Sequence, residues 1–140
     1  MRGRLSGITL AHSRNHLLRA VIEGLACEVL RHIRLLTAAG FPVSRLTMCG
    51  SAAAGRNTPQ VIADIVNLPI ACVEACDVSA LGAAVIARSL VDSDTDLASI
   101  ARRWAPSGRT VSPSERAPAY RDLLREYFTI FDGATPQTDV

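Results

Sequence analysis

Apolar residues recur at Leu18, Ile22, Leu25, Val29, Ile33 and Leu36 with a helical period, which predicts one long helix from a cap at Ser13 to a stop at Gly40. Pro42 just beyond reinforces the stop. Gly24 lies inside this helix, where glycine costs roughly 1 kcal/mol against alanine, so a close neighbour is expected there. The period then changes. Residues 45–49 fit a short buried strand that ends abruptly in a loop of small residues, Gly50-Ser51-Ala52-Ala53-Ala54-Gly55. Asn57 or Thr58 can cap the next helix, Pro59 suits its first turn, and it should run to about Val66 with Gln60 and Asp64 on the face opposite Val61, Ile62 and Ile65. Asn67 and Pro69 end that helix, and residues 70–73 read as a second strand. Asp77 can cap a third helix over 78–90 whose stretch from Ser79 to Ala84 is almost all small. A shorter helix from Asp94 to Trp104, a proline- and glycine-punctuated loop over 105–117 and an amphipathic helix over 118–131 follow, the last carrying Tyr120, Leu123, Leu124, Tyr127 and Phe128. Residues 132–140 read as a disordered tail.

Composition narrows the function classes. With 140 residues and 49% apolar content the chain has room for one compact domain with a real core. A formal net charge of +2 gives no basic footprint for nucleic acid. All 15 basic residues are arginine and none is lysine, so any phosphate must be held by backbone amides, hydroxyls or guanidinium groups. Charges interrupt every apolar run well short of a membrane span, and Met1 leads into Arg2 and Arg4 without a signal-type apolar core, so a cytoplasmic protein is expected. Cys27, Cys49, Cys72 and Cys76 do not form paired CxxC units, and read as reduced thiols serving as small apolar residues.

Several residue groups invite a chemical reading. A strand that stops in small residues lets backbone amides approach a ligand, and the following helix points its first N–H groups the same way, a geometry suited to a nucleotide. The competing reading of the same stretch is a plain chain reversal. His12 and His16 stand four apart, a spacing that can hold a metal, but no acidic residue accompanies them and a surface or capping role fits better, as it does for His32. Glu23 reads as a structural hydrogen-bonding group. Asp92, Asp94 and Asp96 read as a solvated helix start rather than a metal site.

The segments Leu46-Thr47-Met48-Cys49-Gly50-Ser51-Ala52-Ala53, Gln60-Val61-Ile62-Ala63-Asp64, Pro69-Ile70 and Ala80-Leu81-Gly82-Ala83-Ala84 together resemble the adenosine-binding segment of FGGY carbohydrate kinases in order and spacing. Gly7-Ile8-Thr9, Arg14 and Arg19-Ala20-Val21-Ile22-Glu23-Gly24 extend the match upstream, and Tyr120 and Tyr127 downstream, so it spans nearly residues 3–131. The resemblance implies an α/β fold, a partial ribonuclease H-like domain of the actin/hexokinase ATPase type, helix-rich with a few short strands. It implies that residues 1–131 are the C-terminal nucleotide-binding domain, incomplete on its N-terminal side. It further implies that Gly50, Ser51 and Ala52 lie against the adenosine and phosphate end of ATP while Gly55, Arg56 and Asn57 close the pocket, with Mg2+ joining in the complete enzyme. Family members usually show consecutive glycines where this chain has Gly50-Ser51-Ala52, a turn that resembles ribulokinase- or erythritol-kinase-like members more than glycerol kinases.

In that family the sugar lies between two domains and the catalytic aspartate precedes the matched segment. None of Asp64, Asp77 or Asp92 occupies its position, so no catalytic residue is assigned. The chain is expected to be the ATP-binding part of a kinase for a pentulose or polyol, inactive alone, with exposed apolar faces that call for a complementing N-terminal half or a homo-oligomer. The alternatives are a non-catalytic nucleotide-binding protein and a helical interaction protein derived from such a kinase.

Overall fold

A computed structural model describes residues 5–73, 77–91, 96–106 and 108–134. The first element, α1 (Arg14–Ala38), starts at Ser13, whose N–H donates to His16 Nδ1 at 3.0 Å. It ends with Gly40 N–H donating to the Thr37 carbonyl and Phe41 N–H to the Leu36 carbonyl, the paired bonds of a Schellman stop. A Cβ added at Gly24 would meet nothing within 4 Å, so the close neighbour expected there is absent among the described residues. Strand β1 (Leu46–Cys49) leads into α2 (Ser51–Ala54), a single helical turn where a loop was expected; three alanines, the best helix formers, account for it.

Helix α3 (Asn57–Val66) runs back to β2 (Ile70–Val73), which pairs in parallel with β1 from Leu46 opposite Ile70 to Cys49 opposite Val73. Its N-cap is Arg56, one residue before the caps expected from sequence, and it makes no side-chain cap. Asn67, with φ +54°, ends it. Then come α4 (Val78–Val91), whose start is marked by the Asp77 carbonyl accepting from Leu81 N–H, and α5 (Leu97–Trp104), capped by Asp96 through Ser99 N–H at 3.0 Å. Asp92, Asp94 and Cys76 lie outside the described residues.

The expected loop over 105–117 contains a third strand, β3 (Gly108–Val111), antiparallel to β2 with Ile70 opposite Val111. The sheet order is therefore β1-β2-β3. A 3-10 turn (Ala117–Tyr120) precedes α6 (Arg121–Ala134), so the final helix starts later and runs further than the sequence period indicates. The rest of the expected tail, residues 135–140, lies outside the described residues.

Helix α3 lies on β2 and β3, and α1 lies on α3. Their shared core holds Ala26, Cys27 and Ile33 from α1, the run from Val61 to Val66 apart from Asp64, and Ile70 and Cys72 from β2, with Tyr120 closing one side. Cys27 and Cys72 serve as buried free thiols, and burial pushes the Cys27 thiol up to about 11; Cys49, by contrast, is exposed. No helix among the described residues is long and apolar enough to cross a membrane.

Candidate functional site

The end of β1 builds the turn. Gly50 has φ +78° and ψ −166°, a backbone region that glycine alone occupies readily. Ala53 N–H donates to the Gly50 carbonyl at 3.0 Å, and the Ala53 side chain is fully buried, pinning the turn to the core. Around that pin Ser51, Ala52, Gly55, Arg56 and Asn57 are exposed and Gly50 is half-buried, all between the end of β1 and the start of α3. Ser51 and Ala52 sit in helical conformation, where a side chain carries no backbone penalty; the positive φ falls on Gly50.

One set of contacts holds this turn and a second ties α3 to the segment after β3, and neither is legible from sequence. Arg109, half-buried on β3, donates from Nη2 to the Ala53 carbonyl at 2.9 Å and to the Gly55 carbonyl at 2.7 Å. On α3, Asp64 is buried. It accepts from Ser114 N–H at 2.6 Å, from the Ser114 hydroxyl at 2.9 Å and from Gln60 Nε2 at 2.9 Å, while Gln60 also donates to the Ser112 carbonyl. A carboxylate in that position needs several donors to offset its desolvation, and the 112–114 segment supplies them.

A cavity of about 810 Å³ opens beside the start of α3, lined in part by Asn15, Arg19, Asn57, Gln60, Asp64 and Arg116. Of the six candidate residues only Asn57 borders it.

The remaining candidates have structural partners. His12 Nδ1 accepts from Thr9 N–H at 3.0 Å and His16 Nδ1 from Ser13 N–H, so both rings cap backbone, their centroids 5.8 Å apart. His32 Nδ1 lies 2.8 Å from the Glu28 carbonyl. Glu23 pairs with Arg19 at 2.8 Å, and Arg19 reaches the Tyr120 hydroxyl. The Ser99 hydrogen bonds hold the Asp96 carboxyl below its ordinary range. Among the described residues no group of three or more His, Cys, Asp or Glu side chains could hold a metal ion.

The chain belongs to the FGGY family of carbohydrate kinases, as its C-terminal domain: the sequence model of that domain matches residues 1–90. A glycerol kinase of Citrifermentans bemidjiense is 32% identical over 116 residues, covering 82% of this chain and 23% of that protein. A xylulose kinase of Staphylococcus epidermidis is 25% identical over 138 residues, 99% of this chain and 27% of its own length. Among solved structures, a xyloylose kinase from Brucella ovis superposes with a TM-score of 0.80 at 27% identity, over 95% of this chain and 28% of that one. Glycerol kinase of Plasmodium falciparum, solved with ADP, superposes with a TM-score of 0.73 at 23% identity, over 94% and 26%.

The fold is that of the actin/hexokinase-like ATPases, helix-rich with a small sheet. The chain spans about a quarter of the length of the relatives it matches. Glycerol kinases and xylulose kinases both match this chain.

Proposed function

We propose that this chain holds ATP in a carbohydrate kinase that passes the γ-phosphate to a hydroxyl of a pentulose or polyol in the cytoplasm. The observation that carries the reading is the Gly50 turn: a strand end with a glycine-only backbone, opening onto exposed small residues at the start of α3, in a chain of the FGGY family. Gly50, Ser51 and Ala52 would lie along the adenosine and phosphates, and Gly55, Arg56 and Asn57 would close the far side. With no lysine in the chain, the donors are main-chain N–H groups, the Ser51 hydroxyl and the Arg56 guanidinium. The turn from Gly50 to Asn57 carries no carboxylate, so its own residues do not fit a protein-held Mg2+.

In the transfer, a bond forms between the acceptor oxygen and the γ-phosphorus while the bond to the β-bridging oxygen breaks, ADP leaves, and the acceptor proton passes to a base. No described residue is assigned as that base. The 140-residue chain by itself is therefore proposed to bind nucleotide without turnover, and to work with a complementing kinase segment.

Calorimetric titration of the purified chain with ADP and ATP, followed by incubation with ATP and a panel of pentuloses and polyols, tests both parts. Saturable nucleotide binding without acceptor-dependent ADP release supports the reading. Failure to bind nucleotide removes it, and acceptor-dependent turnover removes the claim of inactivity. A helical interaction protein is the second reading, favoured by the exposed Ile86, Leu90 and Val91 of α4; self-association with no nucleotide response would select it.

A further inference from the structure

One nitrogen of Arg109 bridges two carbonyls within the candidate turn, donating to those of Ala53 and Gly55. In a trans peptide the C=O and N–H lie on opposite edges, so gripping these two oxygens also fixes the N–H groups of Ala54 and Arg56, turned away from the guanidinium. The same contact occupies two carbonyl oxygens that would otherwise stand as acceptors on the turn.

Arg109 is itself held from both sides. Its neighbour Gly108 sits so close to β2 that a Cβ there would overlap the Cys72 carbonyl oxygen, and Arg109 stands opposite Cys72 in the register. Further along, Ser112 and Ser114 are tied to Gln60 and Asp64 on α3. The 108–114 segment is thus a strap that crosses from the sheet to α3 and carries one cation onto the turn between them.

We propose that Arg109 is a positioning residue for nucleotide binding: it keeps the peptide planes at Ala53 and Gly55 ordered before the ligand arrives, so that binding does not have to pay for ordering them. The role rests on the nucleotide reading of the Gly50 turn. An ordered turn loses less conformational entropy on binding than a mobile one, and the gain appears as affinity. Lysine at this position keeps a cation but not the planar fork, so it restores part of the effect.

The test uses the whole 140-residue chain, with Arg109→Gln and Arg109→Lys, ADP as the probe, and backbone amide exchange as a second readout. In Arg109→Gln the amides of Ala54 and Arg56 should exchange about tenfold faster while β1 and β2 keep their protection, and ADP should bind about tenfold more weakly. Arg109→Lys should fall between that variant and the unaltered chain. Unchanged ADP affinity in Arg109→Gln overturns the role and leaves the nucleotide reading standing, whereas absence of ADP binding by the unaltered chain overturns both. Should Arg109→Gln not fold, Arg109→Lys carries the test: weaker ADP binding supports the role and unchanged binding overturns it.

Discussion

At Gly50 the backbone itself is the functional group. An added Cβ would meet nothing within 4 Å, so a substitution there suffers no clash, only the strain of φ +78° with ψ −166°. Such strain costs on the order of 1–3 kcal/mol for a residue with a side chain. Gly50→Ala is therefore expected to lose about that much stability in urea unfolding, and a loss under about 0.5 kcal/mol would show that the turn relaxes freely and holds no fixed shape. Gly50 is legible in the sequence because a strand followed by glycine and small residues needs only local chemistry to interpret. Arg109 is not, because its two acceptors lie more than fifty positions earlier and become neighbours only when β3 pairs with β2. The partners of Asp64 are hidden for a related reason: the face of α3 opposite Val61, Ile62 and Ile65 meets a segment that reads as loop.

Among elements, legibility follows the same division between local and distant causes. Apart from α2, which reads as loop, the run from α1 through β2 emerges in order because each piece has its own period, cap or breaker. Strand β3 has four residues, begins with glycine and stands between Pro106 and Pro113; its pairing with β2, not its composition, makes it a strand. The docking of α6 is equally non-local. The Tyr127 hydroxyl donates to Glu28 Oε1 at 2.6 Å, and Arg19 donates to the Tyr120 hydroxyl, so two tyrosines fasten the C-terminal region to α1. Burial first, then the bond to Glu28, raises the Tyr127 hydroxyl to about 12 from an ordinary 10. A group whose folded value is raised contributes fully below its unfolded value, so this contact should be intact below about pH 10 and lost as pH climbs through about 12. Glu28 moves the other way, lowered first by the Arg31 hydrogen bond and then by Tyr127, so its contribution is present above the ordinary glutamate range and fades as pH falls below it. Replacing Tyr127 with Phe is expected to cost about 1 kcal/mol near neutral pH and to remove the most alkaline step of the tyrosinate absorbance titration. An unchanged titration would mean that α6 does not dock through this residue.

For the molecule as a whole, the unbalanced quantity is apolar surface. The apolar arc of α1 is wider than its described neighbours cover: Ile22, Ala26 and Ile33 reach the core, while Leu18, Val21 and Leu25 remain more or less half exposed. Helix α4 buries only Val85 among its described residues and packs chiefly on α5, leaving Leu90 and Val91 about four-fifths exposed, with Leu97 and Trp104 also exposed on α5. Contiguous apolar patches of this kind mark surfaces that bind something, and a chain spanning about a quarter of its relatives' length has an obvious candidate in the kinase sequence they contain beyond the match. Without such a cover the same faces should bring copies of the chain together. The unaltered chain is expected to sediment as concentration-dependent oligomers, and the double change Leu90→Glu with Val91→Glu should shift it toward monomer. Both side chains are exposed, so the fold should lose no more than about 0.5 kcal/mol. Loss of folding in the double variant would mean that α4 already has a buried contact beyond α5. A chain that stays monomeric at high concentration would mean that these faces are tolerated by water and demand no partner.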